Sequence, residues 1–237
     1  MKLLKTSVLA LAILGMNSLS SFAQSAEELI QKHIAAIGGA ENWKKITSIK
    51  MDGAVTAQGM EIPVTRTVLN GKGMRMDLTI MGMANYMILT DKEGWAYFPI
   101  QGQTKAEPLT ADRVRESQDQ LDVQGDFIDY QAKGSKIEYV GKDDVEGTES
   151  FKLKLTTKNG QEKLLYLDAS NYYLIREVQK MKADGKEMDV TVSYSNYQKL
   201  PEGIVMAMSI ESPEGPVTFK TIEVNPKIEE AIFKPTN

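Results

Sequence analysis

Few residues of this 237-residue chain have types and spacings that could do chemistry. His33 is the sole histidine, and cysteine is absent. A zinc centre needs several imidazole or thiolate ligands, so zinc catalysis and thiolate metal sites are excluded. Disulfides are excluded as well, and stability has to come from the core. A serine-hydrolase triad would have to use His33, yet no Gly-x-Ser-x-Gly sequence supplies a nucleophile elbow. His33 reads instead as a bland polar residue on a surface helix. Asp143-Asp144 and Glu146 cluster before Gly147, but they lack the alternating spacing of a calcium loop and read as a solvated hairpin turn. Glu229-Glu230 reads as a solvated helical face. Gly71-Lys72-Gly73 is far from a phosphate loop and reads as a turn. The chain is therefore expected not to be an enzyme, and neither cofactor nor metal is assigned.

Methionine is the better clue. The chain has 13, and Met74, Met76, Met81, Met83 and Met87 crowd into fourteen residues. Methionine is flexible and polarizable, and it is over-used on surfaces that accept varied apolar ligands. The bland reading is an ordinary core filled with methionine. The functional reading is an apolar ligand site, favoured by the position of these residues on strands that a later helix would cover.

The elements that position them follow from periodicity. Lys2 and Lys5, the apolar run 8–14 and Ser21-Phe22-Ala23 form a secretory signal over residues 1–23. The run is too short to span a bilayer, and Asn17 and Ser18 follow it at once. No second stretch of about 18 apolar residues exists. The predicted mature chain starts at Gln24. It carries no lipidation cysteine and is expected to lie in the periplasm. The whole sequence has 28 basic and 32 acidic residues, a formal charge of −4, and no basic run. Nucleic acid is therefore excluded as a partner, because phosphate contacts need clustered Lys and Arg.

Residues 25–37 read as one helix, with Ser25 as N-cap, Glu28 as its capping-box partner and Gly38-Gly39 as the stop. From Ile46 the period changes to two. Ile49, Met51, Gly53, Val55 and Ala57 form one alternating set. Met60, Ile62, Val64, Arg66 and Val68 form the next, and Met74, Met76, Leu78 and Ile80 a third. Asn70-Gly71, Asn159-Gly160 and Asp184-Gly185 are strong hairpin signals; Glu146-Gly147, Glu202-Gly203 and Glu214-Gly215 are weaker ones. Later strands are expected over 149–157, 162–168, 173–180, 187–197, 203–211 and 216–224. Residues 110–121 lack alternation and read as a short inserted helix, with Thr110 as cap and Val114 and Leu121 on one face. Residues 125–134 read as a loop. Ten or eleven antiparallel strands are too many to remain flat. The predicted fold is mainly β, a curled antiparallel sheet forming an unclosed β-barrel with covering helices, in a single domain over 24–237.

Gly73-Met74-Arg75-Met76, then Glu93-Gly94-Trp95-Ala96-Tyr97, then a helix, resembles the LolA/LolB lipoprotein-carrier family. The close, Asn225-Pro226-Lys227-Ile228 with Phe233-Lys234-Pro235, is similar to that family's final segment. Ile37-Gly38-Gly39 with Trp43 resembles secreted carrier-like proteins of the Bacteroidetes type. The resemblance covers nearly the whole mature chain through loose motifs in a consistent order. It implies an unclosed β-barrel with a helical lid that binds acyl chains and ferries lipoproteins across the periplasm. One departure stands out. The family has an Arg-Pro ahead of this strand, whose Arg helps latch the lid; Asn70-Gly71 stands there in this chain. Arg66 and Arg75 are the nearby arginines that could substitute.

The expected function is a periplasmic carrier or binding protein for acyl chains or lipoproteins, held in an apolar cavity under the lid. The expected lining is Met74, Met76, Leu78, Ile80, Met83 and Met87, with Trp95 at the strand edge and Val114 and Leu121 from the lid. Partners would be lipoprotein acyl chains or other lipid, and envelope proteins. The alternative is an interaction or envelope-stress sensor module of the same fold without carrier activity.

Overall fold

The structure is a computed structural model that describes residues 25–57, 59–183 and 186–236. The expected signal over 1–23 and the Asp184-Gly185 turn lie outside the described residues. Helix α1 (Ala26–Ala36) starts where the Ser25 hydroxyl accepts the Glu28 N–H at 3.1 Å. Its buried stripe is Leu29, Ile30, His33 and Ile34. Gly38 ends the helix with φ +104°, and a Cβ there would lie 2.2 Å from the Gly203 carbonyl oxygen. Only glycine meets both demands. A single turn, α2 (Ala40–Trp43), follows. There the Trp43 indole N–H donates to the Ile37 carbonyl at 2.9 Å.

The strands are β1 (Ser48–Ala57), β2 (Met60–Leu69), β3 (Gly73–Ile80), β4 (Met83–Thr90), β5 (Gly94–Tyr97) and β6 (Glu107–Pro108) before the inserted helix. After it come β7 (Lys136–Val145), β8 (Thr148–Thr156), β9 (Glu162–Asp168), β10 (Leu174–Ala183), β11 (Lys186–Lys199), β12 (Val205–Ser212) and β13 (Gly215–Val224). They form one sheet in the order β6-β5-β4-β3-β2-β1-β13-β12-β11-β10-β9-β8-β7. Every neighbouring pair is antiparallel. β6 and β7 remain unpaired edges, so the sheet is an unclosed barrel. A bulge between Asp52 and Gly53 sharpens the bend of β1 against β13. At Gly53 a Cβ would lie 2.3 Å from the Thr218 carbonyl oxygen.

The strand count exceeds the expected ten or eleven for two reasons. β6 is only two residues long, below what periodicity resolves. β7 is an edge strand loaded with Lys136, Glu138, Lys142, Asp143 and Asp144, and charges of this kind guard an edge against further pairing. Asp143 and Asp144 thus belong to the strand; the turn itself is Glu146-Gly147, both at positive φ. α1 covers the largest apolar cluster, which includes Ile49, Ile137, Leu153, Leu155, Leu165 and Leu167.

Candidate ligand-binding site

Register fixes which side chains share a face. Val68 pairs with Met74, Arg66 with Met76 and Val64 with Leu78. On the other side of β3, Met74 pairs with Leu89, Met76 with Met87, Leu78 with Asn85 and Ile80 with Met83. These residues therefore line one face of β2–β4. The inserted segment packs on that face as α3 (Ala111–Glu116) and a 3-10 turn (Gln118–Leu121), two pieces where one helix was expected. Thr110 caps α3 as foreseen, its hydroxyl accepting the Arg113 N–H at 3.2 Å. Val114 and Leu121 meet Val68, Met74 and Leu89, with Met76 and Met87 packed at the margin.

Of the expected lining, Met74, Met76, Met87, Val114 and Leu121 are thus brought together. Met74 is only 1% exposed, so the lid side chains occupy the space above it. Leu78 and Ile80 continue the same face, half-buried, beyond the lid cluster. Met83 lies at the hairpin rim and is 37% exposed. Trp95 does not join this group. It pairs with Ile88, and both pack with Tyr86 and Phe233 on the opposite face of the sheet. The C-terminal 3-10 turn (Glu230–Phe233) covers that outer face, and the Tyr86 hydroxyl donates to the Thr236 carbonyl at 2.6 Å. Arg75 also points outward. It pairs with Asp77 at 2.8 Å and donates to the Ile232 carbonyl at 3.0 Å, so it is no lid latch. An open cleft of about 530 Å³ lies there, lined by Lys50, Thr67, Arg75, Asp77, Ile232 and Thr236.

The lid is tied down by groups the sequence reading did not assign. The Gly71 N–H donates to the Leu121 carbonyl at 2.9 Å. The Asn70 side-chain oxygen accepts the Val123 N–H at 3.1 Å. Asn70-Gly71, which stands in place of the family Arg-Pro, therefore holds the lid through its backbone and amide. The Gln118 amide donates to the Thr90 carbonyl at 3.1 Å and to the Val114 carbonyl at 2.9 Å.

The stronger tie crosses the half-barrel. Lys163 on β9 is buried and reaches Asp119 of the lid at 2.8 Å, Asp126 of the following loop at 3.0 Å and Glu177 of β10 at 3.2 Å. Burial opposes the ammonium charge, but Asp126, Glu177 and Asp119 outweigh it and raise its pKa above the ordinary lysine value. Glu177 is raised in turn: burial disfavours its charge, and one ammonium cannot fully offset three carboxylates. The Tyr194 hydroxyl on β11 lies 3.3 Å from Glu177 and its own pKa is pushed up, chiefly by burial. The signal for this cluster was present in the sequence. Lys163 stands in phase with Leu165 and Leu167, which makes it a charged residue in an inward-facing register.

Two polar groups on the lid face lack partners. The Arg66 Nε is shielded from solvent without a hydrogen bond, and so is the Asn85 Oδ1. Burial lowers the Arg66 pKa from its ordinary value, with Tyr194 and Asp119 acting against it at a distance. Arg66 as a residue is only half-buried, so the orphan is its Nε donor and not the whole guanidinium charge. An unmet buried donor costs about 1–3 kcal/mol. A buried orphan of this kind calls for an explanation.

His33 is a correction. It is buried, not a surface residue, at 4% exposure. Its ring lies 4.2 Å from Phe127, and its Nδ1 is 2.8 Å from the Tyr172 carbonyl. A carbonyl only accepts, so Nδ1 carries the proton. Burial pushes the pKa of the imidazole down to about 4. His33 is thus a neutral core residue and takes no part in the site.

No protein family and no curated protein matches the chain. Solved structures do. A domain described as outer membrane lipoprotein-sorting, from Vibrio parahaemolyticus, is 14% identical, with 87% of this chain and 94% of that chain covered and a TM-score of 0.50. A LolA superfamily protein from Nitrosomonas europaea is 13% identical, with 89% and 97% covered and a TM-score of 0.52. The chain therefore has the LolA-like fold.

Proposed function

We propose that this chain is a periplasmic carrier or binding protein for acyl chains or lipoproteins, produced with a signal peptide over residues 1–23 and carrying a single domain over 24–237. The observation that supports this most is the lid contact. Val114 and Leu121 lie on Met74 with Met76 and Met87 at the margin, while Leu78 and Ile80 extend the same face beyond the lid. An acyl chain would replace the lid side chains on that face. The likeness to a lipoprotein-sorting domain and to a LolA superfamily protein points the same way.

Magnitudes favour the exchange. Exposing Val114 and Leu121 costs about 1.5–3 kcal/mol each, and each buried methylene returns about 0.8 kcal/mol. About four to eight methylenes therefore offset the displaced lid contacts, and a longer chain leaves a net gain. No bond is made or broken in this scheme; the lid alternates between lying on its own strands and covering a ligand.

The test is what the protein carries. Protein purified from its native envelope, extracted with chloroform and examined by mass spectrometry, should yield acyl lipid at a near-stoichiometric level. N-terminal sequencing of the same sample should begin at Gln24 or within a few residues of it. A lipid-free sample that also fails to bind an added acyl chain would overturn the carrier reading and leave an interaction module of the same fold.

A further inference from the structure

The carrier reading leaves Arg66 unused. It sits on the lid face of β2, with Met76 opposite it on β3 and Met51 opposite it on β1. The two positions that flank it on the same face of its own strand are Val64 and Val68. A guanidinium is thus held in an apolar row between the lid cluster on one side and the α1 cluster on the other. Its Nε is shielded and unpartnered, and Arg66 makes no ion pair among the described residues. The nearest carboxylate in its field, Asp119, is already engaged by Lys163 at 2.8 Å. Asn85 does not serve Arg66 either: it stands two strands away, about 10 Å at the backbone, and its amide N–H donates to Met83.

Beyond Arg66 the face is mostly apolar as far as the hairpin rim, with Asn85 opposite Leu78 and Tyr194 opposite Ile210 as its polar members. Val64 and Leu78 come next, then Ile62, Ile80 and Val55, with Val217 and Ile210 on the strands that follow β1. Except for Val64, which is buried, these side chains are half-buried. From Arg66 to Met60 the strand runs about 20 Å at 3.3 Å per residue, long enough for an extended acyl chain. A single fixed cation at the inner end of an apolar trough matches a ligand with a charged head and an aliphatic tail. Arginine suits that head in particular, because its planar fork pairs two oxygens at once.

We propose that Arg66 is the head-group subsite of this protein. An acyl ligand whose end carries an anionic oxygen group, carboxylate or phosphate, seats that group on the Arg66 guanidinium, with its chain running along Leu78, Ile80 and Ile62 towards the rim. The proposal rests on the acyl-binding reading and adds to it the class of ligand. It also accounts for the orphaned Nε, which gains the acceptor it lacks.

The test uses the full mature protein and N-phenyl-1-naphthylamine, an uncharged apolar fluorophore, displaced in turn by dodecanoate, dodecyl phosphate and dodecanol. Wild type should bind at least one anionic ligand about tenfold more tightly than dodecanol, the difference expected of one charge-assisted contact of about 1.4 kcal/mol. A preference for dodecanoate assigns a fatty-acid carboxylate, and a preference for dodecyl phosphate assigns a lipid phosphate. Arg66→Met, close in volume and uncharged, should abolish that preference while leaving dodecanol within about twofold; Arg66→Lys should retain part of it. Equal affinity of wild type for all three ligands overturns the subsite but leaves acyl binding standing, and this comparison needs no variant to fold. Displacement by acetate or inorganic phosphate as effective as by the chained anions would mean an adventitious ion only, and also overturns it. Failure of every chained ligand to bind removes the acyl reading and the subsite together.

Discussion

Lys163 on β9 and Asp119 in the lid meet at 2.8 Å, although they are 44 residues apart in the chain. This pair joins the segment that packs on β2–β4 to β9, a strand from the other half of the sheet. Asp126 and Glu177 share the same ammonium, so the lid holds only one of its three partners.

That sharing predicts an asymmetry. Asp119→Asn should free the lid while Lys163 keeps two carboxylates, so hydrogen exchange over residues 110–121 should accelerate with little change in the urea midpoint. Lys163→Met leaves three carboxylates around an apolar side chain and should lower global stability by about 3–5 kcal/mol, the usual cost of breaking a buried ion pair from one side. An Asp119→Asn protein with lid protection equal to wild type would show that the apolar contacts alone hold the segment.

The methionines divide into core and rim. Met74→Ala should cost about 2–5 kcal/mol in chemical denaturation, because the side chain is 1% exposed beneath the lid. Met83→Ala, at the exposed rim, should change stability by no more than about 0.5 kcal/mol. Met76→Asp sets a carboxylate directly opposite Arg66, where it would occupy the guanidinium and repel an anionic head, and should weaken displacement of N-phenyl-1-naphthylamine by dodecanoate. A folded Met76→Asp protein with unchanged affinity would remove this face from the site.

His33 sets an acid limit. Its folded value of about 4 lies below the ordinary 6.5, so the unfolded chain takes up the proton first. The stability it contributes is whole above pH 6.5 and is lost as pH falls through about 4. The gap corresponds to about 3 kcal/mol at most. His33→Gln can still donate to the Tyr172 carbonyl and does not titrate, so its stability should fall less steeply between pH 6.5 and 4 than that of wild type. Parallel curves, followed by circular dichroism in urea, would contradict the burial argument.

Most of the sheet was legible because its strands alternate and its turns carry glycine. The faces were harder. Alternation separates Trp95 from Ala96 but does not say which one meets the lid; only the pairing of Ile88 with Trp95 places the indole on the outer face. The hint lay in β4, where Tyr86, Met87, Ile88 and Leu89 run apolar without a break. A strand of that kind is covered on both sides. One cover is the lid, and the other is the C-terminal turn with Phe233. Of the ion cluster only Lys163 was legible, by its inward register, and its partners were not, for a different reason. Asp119, Asp126, Lys163 and Glu177 meet only after the sheet has curled, and no local pattern encodes that meeting.

The central claim is that an acyl chain lies on the lid face of β2–β4. A fatty acid carrying a diazirine near the middle of its chain, photolysed in the bound state and mapped by peptide mass spectrometry, tests it most directly. The account predicts label within residues 60–87 and 110–121, competed away by dodecanoate. Label confined to the outer face, at residues 226–236 or around the Arg75–Asp77 cleft, or label that dodecanoate does not displace, would contradict it.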